Sequence, residues 1–65
     1  MNNIRHYMEL LGLKLINLAI DTDLSIGYVC HLEKGTRSNP SIKVMERIAG
    51  ALNKTVPEVF FDKLS

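Results

Sequence analysis

Tryptophan is absent from this 65-residue chain, and there is a single cysteine, Cys30. One thiol excludes an intramolecular disulfide framework and suits a reducing compartment. Long apolar runs are missing too: none approaches the ~18 residues that a membrane span requires. The chain opens Met1-Asn2-Asn3 without a basic segment followed by a long apolar one, so no secretory signal is expected and the expected location is the cytoplasm. No charge of one sign dominates, since eight basic side chains face seven acidic ones for a net +1. A strongly basic nucleic-acid binder would show a larger excess. No segment alternates with period two as a strand would, and no internal repeat or low-complexity tract is visible.

What is there is apolar bulk. With 46% hydrophobic residues, collapse is expected and disorder is not. The length allows one domain at most, residues 1–65, near the lower limit for a self-sufficient core. Such a thin core favours further burial by self-association. Charge is patchy: Lys34, Arg37 and Lys43 fall within residues 34–45, a stretch with no acid.

Two prolines and four glycines punctuate the chain into five short helices. The first runs from about Asn3 to Leu11 and stops at Gly12. A second covers Leu15 to Thr22, with Leu18 and Ala19 facing inward, and is broken by the short polar side chains of Asp21-Thr22-Asp23. Ser25 is an N-cap for a third helix through Lys34, closed by the left-handed turn that Gly35 permits. Ser41 caps a fourth helix to about Leu52, whose stripe of Val44, Met45, Ile48, Ala49 and Leu52 makes one buried face. Thr55 and Glu58 have capping-box spacing and open a short fifth helix with Val59, Phe60 and Phe61. The expected fold is all-α, a compact five-helix domain.

Residues 18–40 carry the chemistry. Two short helices joined by about four residues form the arrangement that lets the second lie in a DNA major groove. On that second helix Val29 and Leu32 fall together toward the core. At about 100° per residue, Gly27, Cys30, His31 and Lys34 fall on the opposite side. The residues placed to meet base edges are Ser25, Ile26, Gly27, Tyr28 and His31. Beyond them, Lys34, Arg37, Ser38 and Asn39 supply donors of the type that hold phosphates without reading sequence. Lys14, at the positive end of the preceding helix, is placed to do the same.

Gly12-Leu13, Leu18-Ala19, Ser25, Glu33-Lys34-Gly35, Asn39-Pro40-Ser41, Ile48-Ala49 through Leu52, and Val56 through Phe60 occur in the order of a known pattern. With these motifs the chain resembles the Cro/CI (XRE-like) family of bacterial and phage helix-turn-helix regulators over residues 4–61. The resemblance implies a repressor-like domain whose reader helix spans 25–34 and which binds a two-fold-related operator on double-stranded DNA as a homodimer. It implies groove-facing Ser25, Ile26, Gly27 and His31, with Lys34, Arg37, Ser38 and Asn39 against phosphates. The chain departs from the family at Met8, usually basic, at Leu15, usually a phosphate-contacting Gln, and at Ile26, often a polar base reader. Asp23 replaces the glycine of the inter-helix turn.

Several of these residues carry two readings. Ile26 meets a thymine methyl, or it is a core or partner-facing residue. Gly27 permits close approach of backbone to DNA, or it is merely tolerated. Leu11, Leu15, Ile16 and Ile20 are extra core, or, chiefly through Leu15, Ile16 and Ile20, a patch that docks a second protein. A protein-interaction module of antitoxin-like or adaptor kind is therefore the rival function. Phe60 and Phe61 are adjacent and cannot share one core, so one packs inside and the other meets a second subunit. Glu33 needs a basic partner; with Met8 in the family's usual position, Arg5 one turn earlier is the expected substitute. No phosphate-cradling glycine loop, catalytic nucleophile set or zinc spacing among His6, Cys30 and His31 occurs, so no enzyme activity, metal or cofactor is expected.

Overall fold

The computed structural model describes residues 2–36 and 40–64. They form four α-helices, α1 (Ile4–Leu11), α2 (Leu15–Thr22), α3 (Ile26–Lys34) and α4 (Ile42–Ala51), and a closing turn over Pro57–Phe61. No strand occurs among the described residues. The fold is all helical, as the punctuation predicted.

Local chemistry sets the boundaries. The Ser25 and Ser41 hydroxyls accept from the N–H groups of Tyr28 and Val44, both at 3.2 Å, and so start α3 and α4. All four helices end on the same device. After α1, Gly12 N–H donates to Glu9 C=O and Leu13 N–H to Met8 C=O. The same paired bonds recur after α2, α3 and α4 around Asp23, Gly35 and Asn53. Each of these four residues has positive φ, the left-handed state in which such a cap is made. Only two are glycines. Asp23 and Asn53 hold the other two turns, being the side chains that tolerate this conformation best.

The core gathers Ile4, Tyr7, Met8, Leu18, Ala19, Val29, Leu32, Ile48, Ala49, Leu52 and Val59. Burying one such aliphatic side chain contributes about 1.5–3 kcal/mol. α2 sits centrally, packed against both α3 and α4, while α1 and α4 pack on the closing turn. Thr22, the one buried polar residue among those described, sends its hydroxyl back to the Leu18 carbonyl at 2.7 Å. That bond satisfies it just where α2 ends. Val44 and Met45, expected inside, are only half-buried.

The fifth element differs from the α-helix expected there. It winds as one turn of π-helix, with Asp62 N–H donating to Pro57 C=O at 2.8 Å. The turn is tied to the other end of the chain. In an α-helix Asp62 N–H would bond the Glu58 carbonyl, but that oxygen accepts from Asn3 Nδ2 at 2.8 Å. Asn3 also takes the carbonyls of Val59, through its backbone N–H, and of Asp62, through Nδ2. Asp62 N–H instead reaches one residue further back, while Asn3 holds the Glu58 carbonyl. Asn2 makes a second tie, Nδ2 to the Leu32 carbonyl at 2.6 Å in the last turn of α3. The capping box is formed as expected: Thr55 N–H donates to Glu58 Oε1 at 2.9 Å, and Glu58 N–H to Thr55 Oγ1 at 3.3 Å.

Candidate nucleic-acid interface

α3 has two clear faces. Val29 and Leu32 are buried, whereas Gly27, His31 and Lys34, spaced by four and three residues, form an exposed outward stripe. Ser25 and Ile26 are exposed at its start. Tyr28, expected to face bases, is half-buried and packs on the core edge, so it stands at the flank of the stripe. Cys30 is half-buried as well. At Gly27, where no side chain intervenes, the helix backbone can lie close to a groove floor.

The turn before α3 sets its angle to α2. Asp23, at φ 58° and ψ 35°, reverses the chain, and Leu24 packs against the core. Asp23 and Leu24 thus hold the pair as a unit. Lys14 is exposed at the start of α2, where its N–H donates to Asn17 Oδ1 at 3.1 Å. Lys34 and Lys43 are exposed at the end of α3 and the start of α4. Arg37, Ser38 and Asn39 lie outside the described residues.

The apolar departures separate into two kinds. Met8 is buried, and Leu15 is half-buried against the core. Met8 has left the surface and Leu15 has partly done so, which puts Leu15 at the core edge rather than in an exposed patch. Leu11, Ile16, Ile20 and Ile26 remain exposed, Ile20 at 69% and Ile26 at 48%. Ile16, Ile20, Leu24 and Ile26 line an open groove beside the inter-helix turn, with Ser25 and Asp23 at its polar end. Sequence reasoning named most of these residues but had no means of joining Ile26 to the α2 pair. Their common wall is created by the turn.

At the far end of the molecule, Phe60 packs partly into the core and Phe61 stays 67% exposed. The adjacent phenylalanines are thus divided as expected, one inward and one outward. Glu58 is held below the ordinary glutamate range by hydrogen bonds from the backbone and then the side chain of Thr55, with Lys54 adding a smaller attraction. Among the described residues no group of His, Cys, Asp and Glu is placed to hold a metal ion. No helix among them is long and apolar enough to cross a membrane.

A capped helix pair with a turn between, its second helix turned outward, is the architecture of helix-turn-helix proteins. Residues 4–59 match the helix-turn-helix family, and the chain belongs to it. That family is one of DNA-binding transcription regulators and not of enzymes. The chain is similar to the HTH-type transcriptional regulator SlrR of Bacillus subtilis (strain 168), 28% identical over 57 residues. The match takes in 88% of this chain but only 38% of that relative. The chain therefore spans less than two-fifths of the length of the curated relative it matches.

Proposed function

We propose that this chain is a sequence-specific DNA-binding regulator that represses by occupying its operator as a homodimer. The observation that carries the reading is the exposed stripe of Gly27, His31 and Lys34 on α3, held out by a turn whose geometry comes from Asp23. Ser25, Ile26, Gly27 and His31 face base edges, and Tyr28 flanks them. Lys14, Lys34, Arg37, Ser38 and Asn39 meet phosphates. Phe61 is the outward residue of the dimer contact and Phe60 supports it from inside. Two reader helices would then enter successive major grooves about one helical turn apart.

Selection from a randomised duplex pool, followed by titration against salt, tests this directly. Enrichment of a two-fold-related site, bound more weakly as salt rises, is the expected result. Sedimentation at high micromolar concentration should give a dimer that Phe61→Ala weakens; a monomer there would remove the homodimer.

A second reading is favoured by the groove of Ile16, Ile20, Leu24 and Ile26. Exposed isoleucines on neighbouring elements suit capture of another protein on the same fold, with weakened DNA binding. Ile20→Gln separates the two. It leaves operator binding intact on the DNA reading and abolishes partner capture on the other.

A further inference from the structure

His31 stands in the middle of the exposed stripe, and one of its ring nitrogens is already committed. Nδ1 lies 2.9 Å from Thr36 Oγ1, just past the Gly35 turn. The same Oγ1 is placed to donate to the His31 carbonyl at 3.2 Å, and Thr36 N–H reaches that carbonyl at 3.1 Å. One residue beyond the helix thus grips a single histidine by both its backbone and its ring.

A threonine hydroxyl has one proton and two lone pairs. With the proton directed at the carbonyl, Oγ1 meets the imidazole with a lone pair, and Nδ1 must be the donor. Reversing the ring bond would use that proton on Nδ1. Oγ1 and the carbonyl oxygen would then face each other at 3.2 Å with no hydrogen between them. Both contacts of Oγ1 are hydrogen bonds only when Nδ1 carries the proton. In a neutral imidazole the other nitrogen, Nε2, is then a pure acceptor.

The geometry points to Thr36 as a positioning residue that makes neutral His31 an acceptor-only reader, whose Nε2 selects an exocyclic amino group at a base edge in the major groove. The partner atoms are N6 of adenine or N4 of cytosine, the amino donors displayed there. The O6 and N7 atoms of guanine are acceptors and are refused by the same nitrogen. This deepens the DNA-binding reading and rests on it.

Two measurements test it. Long-range 1H–15N correlation of the imidazoles should show neutral His31 as the Nδ1–H tautomer, and Thr36→Val should release it. For the second, His31→Ala identifies the base pair of the selected duplex whose preference depends on the ring. Replacing adenine by purine, or cytosine by 2-pyrimidinone, deletes the amino group of that pair. This should weaken the wild-type chain roughly three- to tenfold, the scale of one hydrogen bond, and leave His31→Ala unaffected. Exchanging the purine N7 for carbon should leave both unchanged.

An Nε2–H tautomer in the folded wild-type chain would overturn the proposal. So would sensitivity to N7 in place of the amino group, and in either case the DNA reading survives. A pool that yields no site removes the DNA reading and this proposal together.

Discussion

Arg5 Nε stands 3.7 Å from Glu33 Oε1, joining α1 to α3 across the surface. The same Nε lies 3.7 Å from Glu9 Oε2 one turn along its own helix. The pair is lopsided: the Arg5 side chain is 75% exposed, that of Glu33 only 13%. Removing the arginine leaves a covered carboxylate without its counter-charge, whereas removing the glutamate charge leaves an arginine in water beside Glu9.

The two substitutions should therefore differ. Arg5→Ala is expected to cost about 1 kcal/mol, and Glu33→Gln less than ~0.5 kcal/mol. In the double variant the arginine substitution should cost little, giving a coupling below about 1 kcal/mol that fades with added salt. Urea unfolding of the four chains measures it. Equal costs in both backgrounds would mean that the two residues do not interact.

Gly27 separates a folding role from a binding one. A methyl group built there meets nothing within 4 Å, so the free protein has room for alanine. Gly27→Ala should leave the melting temperature unchanged or raise stability by up to ~1 kcal/mol, because alanine is the better helix former. Affinity for the selected duplex should nonetheless fall, roughly tenfold if one groove contact is lost. Undiminished affinity would make Gly27 a tolerated residue and move the reading contact toward His31.

The helix boundaries were legible because they are local. Ser25, Ser41, Gly35 and the Thr55–Glu58 pair act within one turn of their own position, and a sequence displays that distance directly. Arg5 was legible for a related reason, since one helical turn carries it to where Met8 would have pointed. The π-turn was not legible. It is tied to Asn3, whose amide reaches Glu58 and Asp62 across 55 and 59 residues of chain, a distance that no local pattern displays. Periodicity also left Leu15 and Ile16 equivalent, though only Leu15 packs against the core. Of the candidate site, α3's outward stripe followed from its 3.6-residue repeat. The grip of Thr36 on His31 did not, because it depends on the path taken after Gly35.

Glu58 adds a pH dependence whose sign is set by its hydrogen bonds. Its carboxylate is held below the ordinary range, first by the backbone and then by the side chain of Thr55. A depressed folded-state value means the stabilising contribution is complete above the unfolded-state value. It is lost as pH falls through the folded one. Melting temperatures of the wild-type chain should thus decline on acidification below the ordinary glutamate range. Glu58→Gln keeps an acceptor for Thr55 but cannot titrate, so its decline over that window should be shallower. Parallel curves for the two chains would show that the capping carboxylate does not contribute to acid sensitivity.

Asp23 joins backbone geometry to electrostatics at the groove beside α3. Its left-handed φ of 58° is a state in which glycine is unstrained and which asparagine tolerates at least as well as aspartate. Its charge is a separate matter, because Asp23 shares a groove with Ser25 and Ile26, where a phosphate backbone would approach. Asp23→Gly should stabilise the fold by roughly 0.5 kcal/mol through relief of the turn. Asp23→Asn should leave stability within ~0.5 kcal/mol of the wild type. Both remove the same negative charge, so both should raise duplex affinity at low salt by a similar factor, roughly two- to fivefold, and the gain should shrink as salt screens it. If only the glycine variant binds more tightly, the effect comes from reorientation of α3 against α2. If neither does, Asp23 lies beyond the reach of the phosphates, and the groove it borders is left to the isoleucines.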